Sequence, residues 1–496
     1  MQTNPSYQPI SGLARWIETL IGLRLPEKVQ DRAACVWMFS AVFWMIIGMS
    51  LGMIAAIKLV YPNFLGGVEV LTFGRMRPDH VNTIVFGWIS GIEIGASLYI
   101  IPRLCRRHLY LGELAVIAGW VYNLILVLGN ITVAMGFTKG AEYEEWILPL
   151  NIGVLLCVNT VVVCLVMTVL DRQNEKLYVS IWYFAFAYLT LDFIYVSANL
   201  RSYFGAEDAV INWFYGHNAV GSWMSGAGVA ILYYIVPKQL NKKLFAHRIA
   251  IWGFWTFAAF YIWNGGHHLI YGPVPKVVPM MGIFFAIGMV FPFTATSISL
   301  GGTIWGEWQK IWQNLPLRFS VLGAFVYFFA SLTGAIQARE DVNIVQHFTD
   351  YTIAHVHLAF LGFITPAANG LIYLMVEKSF KRKLIPFLTS AHFWLYFVGI
   401  GLYFIPIQIA GVLVGLGWLE QLPFSETVAI RAPYYYLRTY SGLFLVGAQS
   451  MFAWNIIAAM QSPPELEIEL IEAGGGVPPS EIASSEAAAI ERERSS

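Results

Sequence analysis

Twelve stretches of this chain are long and apolar enough to cross a lipid bilayer, and little lies between them. A spanning helix needs roughly 20 predominantly apolar residues. The stretches fall at about 36–61, 80–101, 112–136, 147–170, 178–200, 212–236, 248–271, 278–300, 319–337, 350–376, 388–415 and 437–461. Inside lipid every backbone N–H and C=O must find its partner within the segment, so each stretch is read as a helix. Short connections join them into one bundle. The expected fold is an all-α integral membrane protein of twelve transmembrane helices. Composition agrees: 12% of residues are charged, against about 25% in an average soluble domain. The formal net charge is +0, which argues against nucleic acid as a partner. The four cysteines show no C-x-x-C spacing, so no zinc pair, redox dithiol or covalent haem attachment is expected. Residues 1–35 read as a polar N-terminal segment without a cleavable leader, and 36–461 as the membrane domain. Residues 462–496, rich in Pro, Glu, Ala and Ser, read as a disordered tail.

Basic residues orient the bundle. Nineteen of the 30 Lys and Arg fall in the N-terminal segment and the even-numbered loops, nine on the other side and two in the tail. Both termini are therefore expected on the cytoplasmic side, with lipid around the bundle.

Against this background six histidines stand out: His80, His217, His267, His268, His355 and His357. An ionisable side chain inside a bilayer is costly and marks function. On the topology above all six fall in the outer part of the membrane, although the charges were counted without reference to histidine. Residues i and i+2 of a helix point about 200° apart, so His355 and His357 can ligate cofactors on opposite sides of one helix. His80 is then left as the other axial ligand of whichever haem His355 or His357 holds. Adjacent His267 and His268, about 100° apart on a helix, can reach one cation together with His217. Imidazole suits copper, iron and zinc alike, so the trio does not choose its metal. Tyr261, about 9 Å below His267 on a continuous helix, can present a phenol to that metal. Glu142, Glu144 and Glu145 offer carboxylate oxygens to a hard cation such as Ca2+; a solvated acidic loop is the alternative. Arg75 and Arg77 can pair with haem propionates or mark the membrane interface. The remaining histidines, His108, His247, His347 and His392, read as solvated or capping residues in loops and near helix ends.

The stretches RMRPDHVNTIVFGW (75–88), WFYGHNAVGSWM (213–224), YIVPKQ (234–239), YIWNGGHHLIY (261–271), HFTDYTIAHVHLAFLGF (347–363) and RAPYYYLR (431–438) resemble the catalytic subunit of cbb3-type cytochrome c oxidases. That is the C family of haem–copper oxidases, and the resemblance runs over roughly 36–461. It implies that His80 and His357 ligate a low-spin haem b and His355 a high-spin haem b. It implies that His217, His267 and His268 hold CuB, with Tyr261 cross-linked to His217 and supplying an electron and a proton. Glu142 and Glu145 match an acidic Ca2+ loop beside the propionates. The implied reaction is reduction of O2 to water with electrons from partner subunits carrying c-type haem.

The chain departs from the family on the route that brings protons from the cytoplasm. Ala250, Gly253 and Thr333 stand where the family has a serine, a histidine and a glutamate. Nitric oxide reductases share the fold and take protons from outside, so reduction of NO is the alternative activity. Many of those carry an extra glutamate near the first metal histidine. Here His217 is flanked by Gly216, Asn218 and Ala219, and Tyr261 is present.

Overall fold

The computed structural model describes residue 26, residues 28–200 and residues 202–462. Most of the polar N-terminal segment and all but the first residue of the expected tail lie outside the described residues. Twelve helices follow one another: α1 Val29–Val60, α2 Phe73–Cys105, α3 Gly112–Ala134, α4 Leu148–Leu170, α5 Val179–Asn199, α6 Gly205–Leu240, α7 His247–Tyr261, α8 Val277–Ile304, α9 Leu315–Gln337, α10 Asp350–Ser379, α11 Pro386–Leu419 and α12 Phe424–Gln461.

Among the described residues 11 helices are long and apolar enough to cross a membrane. The exception is α7, where the continuous span expected over 248–271 gives way after 15 residues. The chain then makes a tight 3-10 turn over Asn264–Leu269. Gly265 and Gly266 explain the break. Each disfavours helix by about 1 kcal/mol relative to alanine. Each also lets the turn pack on backbone, Gly265 against Trp213 of α6 and Gly266 against Val278 of α8.

Several helices begin earlier than their apolar runs, α1 and α2 among them. In α1 the polar first turns are helical because their charges find partners: Arg32 pairs with Glu113 at 2.9 Å and Asp31 with Arg103 at 2.6 Å. In α2 the turns before His80 contain Pro78 and the buried Met76 and Asp79. His80 therefore lies inside the helix rather than at its start.

The histidine-bearing helices form the centre. In α2 and α10, 94% of the most apolar window is buried inside the bundle, and in α6 89%, whereas the other spans range from 28% to 56%. A helix hydrophobic all round belongs inside. Hydrogen bonds tie the three together: Trp88 Nε1 of α2 donates to Thr365 Oγ1 of α10, and Trp223 Nε1 of α6 to Ser90 Oγ of α2, both at 3.0 Å. Each of the three widens into a π-helical stretch just past its histidine, at Thr83–Ser90, Ala219–Ser225 and Leu358–Ile364. Such widened turns recur at functional sites. The other nine helices present apolar side chains outward, for example Leu156 (64% exposed) and Leu189 (71%). That belt is what lipid contacts in a multi-pass membrane protein.

Candidate metal centres

Two clusters form where α2, α6, α10 and the turn after α7 meet. In the first, one ring nitrogen from each of His217, His267 and His268 lies within 4.8 Å of the others. His217 Nδ1 is 3.0 Å from His268 Nε2. The pair His267 and His268 is presented by the 3-10 turn, not by a helix, so their side chains diverge by about 120°. Trp213 stacks on His268, ring centres 4.2 Å apart and 12° from parallel, and fixes its orientation. His217 Nε2 and His267 Nδ1 are buried without any hydrogen-bond partner. Buried polar atoms are almost always satisfied. A small, soft-to-borderline cation held by three neutral imidazoles accounts for this convergence.

Tyr261 is the last residue of α7, and its ring lies 5.0 Å from that of His217, inclined by 18°. It packs over Gly221, one turn after His217, so closely that a Cβ there would overlap the phenol ring. Glycine is required at that position because no side chain fits beneath the ring.

The second cluster joins α2 and α10. The rings of His80 and His357 are 6.5 Å apart and 11° from parallel. His80 Nδ1 donates to Gly48 O at 2.7 Å and His357 Nδ1 to Ile353 O at 2.8 Å. Both Nε2 atoms are thereby left as acceptors, as metal-ligating histidines require. An ion bound between two imidazoles, at about 2.0 Å from each nitrogen, separates the ring centres by roughly 6.3 Å. The observed spacing fits. Gly52 makes the room, since a Cβ there would stand 2.6 Å from His80 Cε1.

His355 faces away from His357. Its Nδ1 is 3.1 Å from Thr333 Oγ1, whose own hydroxyl donates to Ala330 O at 3.0 Å. Thr333 oxygen is thus the acceptor for His355 Nδ1–H. His355 also lies within electrostatic range of His217, His267 and His268. Sequence reading placed Thr333 only by its register against the family motifs and missed its contact with His355, as it missed Trp213. Neither carries a local signal, because each acts from a different helix than its partner.

At one rim of the bundle, Arg75 pairs with Glu69 at 2.8 Å and donates to Ala134 O at 3.2 Å. Arg77 pairs with Glu142. Glu145 accepts from Asn82 at 3.1 Å and Glu144 from Asn212 at 3.2 Å. Burial pushes the Glu144 and Glu145 carboxyls above the usual range. Glu142 and Glu145 are not gathered into a three-ligand cluster among the described residues, where the histidine trio is the only such group.

One expectation about an individual residue is corrected. His392 is neither solvated nor a cap: it is fully buried, with Nδ1 2.9 Å from Tyr373 Oη and its ring 4.4 Å from Phe319. Gly253 is pressed against α8, where a Cβ would stand 2.9 Å from that of Ala295, and Ala250 is fully buried. Those two positions are close-packed and leave no space for a polar route.

The comparisons with known proteins agree with this geometry. The family described as "Cytochrome C and Quinol oxidase polypeptide I" matches residues 32–444. The cbb3-type cytochrome c oxidase subunit CcoN1 of Stutzerimonas stutzeri is 30% identical over 447 residues, covering 86% of this chain and 94% of the relative. A nitric oxide reductase chain of the same organism is more distant, at 23% over 84% of this chain and 93% of the relative. A heme-copper terminal oxidase dimer solved by cryo-EM shares the fold with a TM-score of 0.73, at 17% identity over 88% of this chain and 84% of that one. The chain therefore belongs to the cytochrome c and quinol oxidase polypeptide I family, the haem–copper oxidases.

Proposed function

We propose that this chain is the catalytic subunit of a cbb3-type terminal respiratory oxidase, which reduces O2 to water with electrons from cytochrome c. The observation that carries this reading is the half-buried His217–His267–His268 trio with Tyr261 stacked on His217. His80 and His357 hold a low-spin haem b, His355 a high-spin haem b, and the trio holds CuB. When bound, these groups supply one-electron transfer, O2 binding and O–O cleavage.

The protein's own residues set the stage. Gly48 O and Ile353 O lock the tautomers of His80 and His357, so that each Nε2 is left as an acceptor. Thr333 does the same for His355. Tyr261 holds a proton on its phenol beside His217, as the donor of a proton and an electron to the reaction. The His355/His357 spacing directs the two imidazoles to opposite sides of α10, where they would hold the two haems. Glu142 and Glu145 contribute oxygens to a Ca2+ site at the outer rim. Electrons arrive from subunits carrying c-type haem. The bundle resides in a bacterial inner membrane with both termini cytoplasmic, which puts the metal centres nearer the outer face.

The test is oxygen consumption by the purified complex with a reduced c-type cytochrome, run beside NO consumption. Rapid O2 uptake with little NO turnover is the expected result. NO reduction without O2 uptake would overturn the reading in favour of a nitric oxide reductase.

A further inference from the structure

Thirteen positions past His80 on α2 stands Glu93, roughly 20 Å farther along the helix. It is completely buried, and neither carboxyl oxygen has a hydrogen-bond partner among the described residues. An ionised carboxylate in such surroundings costs several kcal/mol or more. A carboxyl retained at that cost inside a membrane marks a proton or ion pathway.

Its neighbours are proton-bearing. Ser97, one turn on and on the same face of α2, lies 2.8 Å from Tyr188 Oη of α5. Ser97 hydroxyl donates to Ile94 O at 2.7 Å, so Tyr188 donates to Ser97. Tyr188 lies within electrostatic range of both Glu93 and Asp192, one turn further along α5. Asp192 is half-buried at the bundle surface and accepts from Asn159 at 3.1 Å.

We propose that Glu93 is a proton-holding group on the inner side of the metal centres, exchanging protons by way of the Tyr188–Ser97 pair beside it. Glu93 releases one proton toward the metal centres and regains one from the Tyr188–Ser97 side. This inference rests on the oxidase reading. It gives the enzyme an inner-side supply where Ala250 and Gly253 have closed the route used by its relatives.

The experiment uses the complete purified complex, wild type and with Glu93→Gln or Glu93→Asp. Oxygen uptake by the wild type is measured first, and its absence would count against the oxidase reading rather than against Glu93. Reduced-minus-oxidised infrared spectra are then recorded in H2O and D2O. The expected signal is a carboxylic-acid carbonyl band that shifts in D2O, disappears in Glu93→Gln and moves in Glu93→Asp. In sealed vesicles Glu93→Gln should keep both haem spectra while turnover falls roughly 10-fold or more, with Glu93→Asp recovering part of it. Wild-type turnover in Glu93→Gln, or a carboxylic-acid band unchanged by it, overturns the proposal. Should Glu93→Gln not assemble, Glu93→Asp decides: a band that does not move overturns it.

Discussion

His80 and His357, on different helices, present imidazoles 6.5 Å apart and nearly parallel, each anchored through Nδ1 to a backbone carbonyl. Two rings so placed leave between them the space for one metal ion. His357→Ala should therefore abolish the low-spin haem signal while the trio on the far side keeps its copper. Reduced-minus-oxidised spectra with and without CO read this out. Loss of only the CO-reactive high-spin signal would mean that the roles of His355 and His357 are exchanged.

Tyr261 contributes a single hydroxyl at the end of α7. Tyr261→Phe leaves the stack on His217 and the fit over Gly221 intact. Both haems and copper should load normally, while O2 reduction falls by at least two orders of magnitude, as expected when a required proton donor is removed. In the wild type, peptide mass spectrometry should find a cross-linked species joining the peptides of His217 and Tyr261. Near-normal turnover in Tyr261→Phe would rule out a redox role.

Thr333 accepts from His355 Nδ1. Thr333→Val preserves shape and deletes that acceptor. Loss of such a partner typically costs 10–100-fold in metal affinity or activity. The high-spin, CO-reactive band should shift and weaken and the low-spin band should stay. Equal change in both bands would indicate general destabilisation instead.

The inner route of the relatives cannot be rebuilt by substitution alone. A histidine at 253 must displace α8, since even a Cβ approaches Ala295 to 2.9 Å, and overpacking of this kind costs about 1–3 kcal/mol or more. Combined Ala250→Ser, Gly253→His and Thr333→Glu should lower haem content and thermal stability without raising proton uptake from the inner side. A stable triple variant with increased uptake would show that those three positions do line an open path.

The fold was largely legible because lipid imposes a simple rule: long apolar runs become helices. The rule fails where glycine intervenes, and it missed the end of α7 at Gly265 and Gly266. It also missed polar helical turns whose charges are paired across the bundle, as at Arg32 and Glu113. The metal trio was legible as residue types but not as geometry. His267 and His268 were assigned helical directions, whereas a 3-10 turn delivers them. Thr333, Trp213 and Gly221 were invisible as supports of the site because each meets its histidine or tyrosine across a helix interface or a turn. Glu93 lay in plain view within an apolar run, but only burial without a partner distinguishes it from a paired carboxylate.

The central claim is that three histidines hold copper facing one haem while two others hold a second haem. Elemental analysis of the purified catalytic subunit tests it most directly. Six ligating histidines arranged as found predict a copper-to-iron ratio near one to two, with copper falling selectively in His267→Ala. Iron without copper would contradict the account and identify the trio as a non-haem iron site.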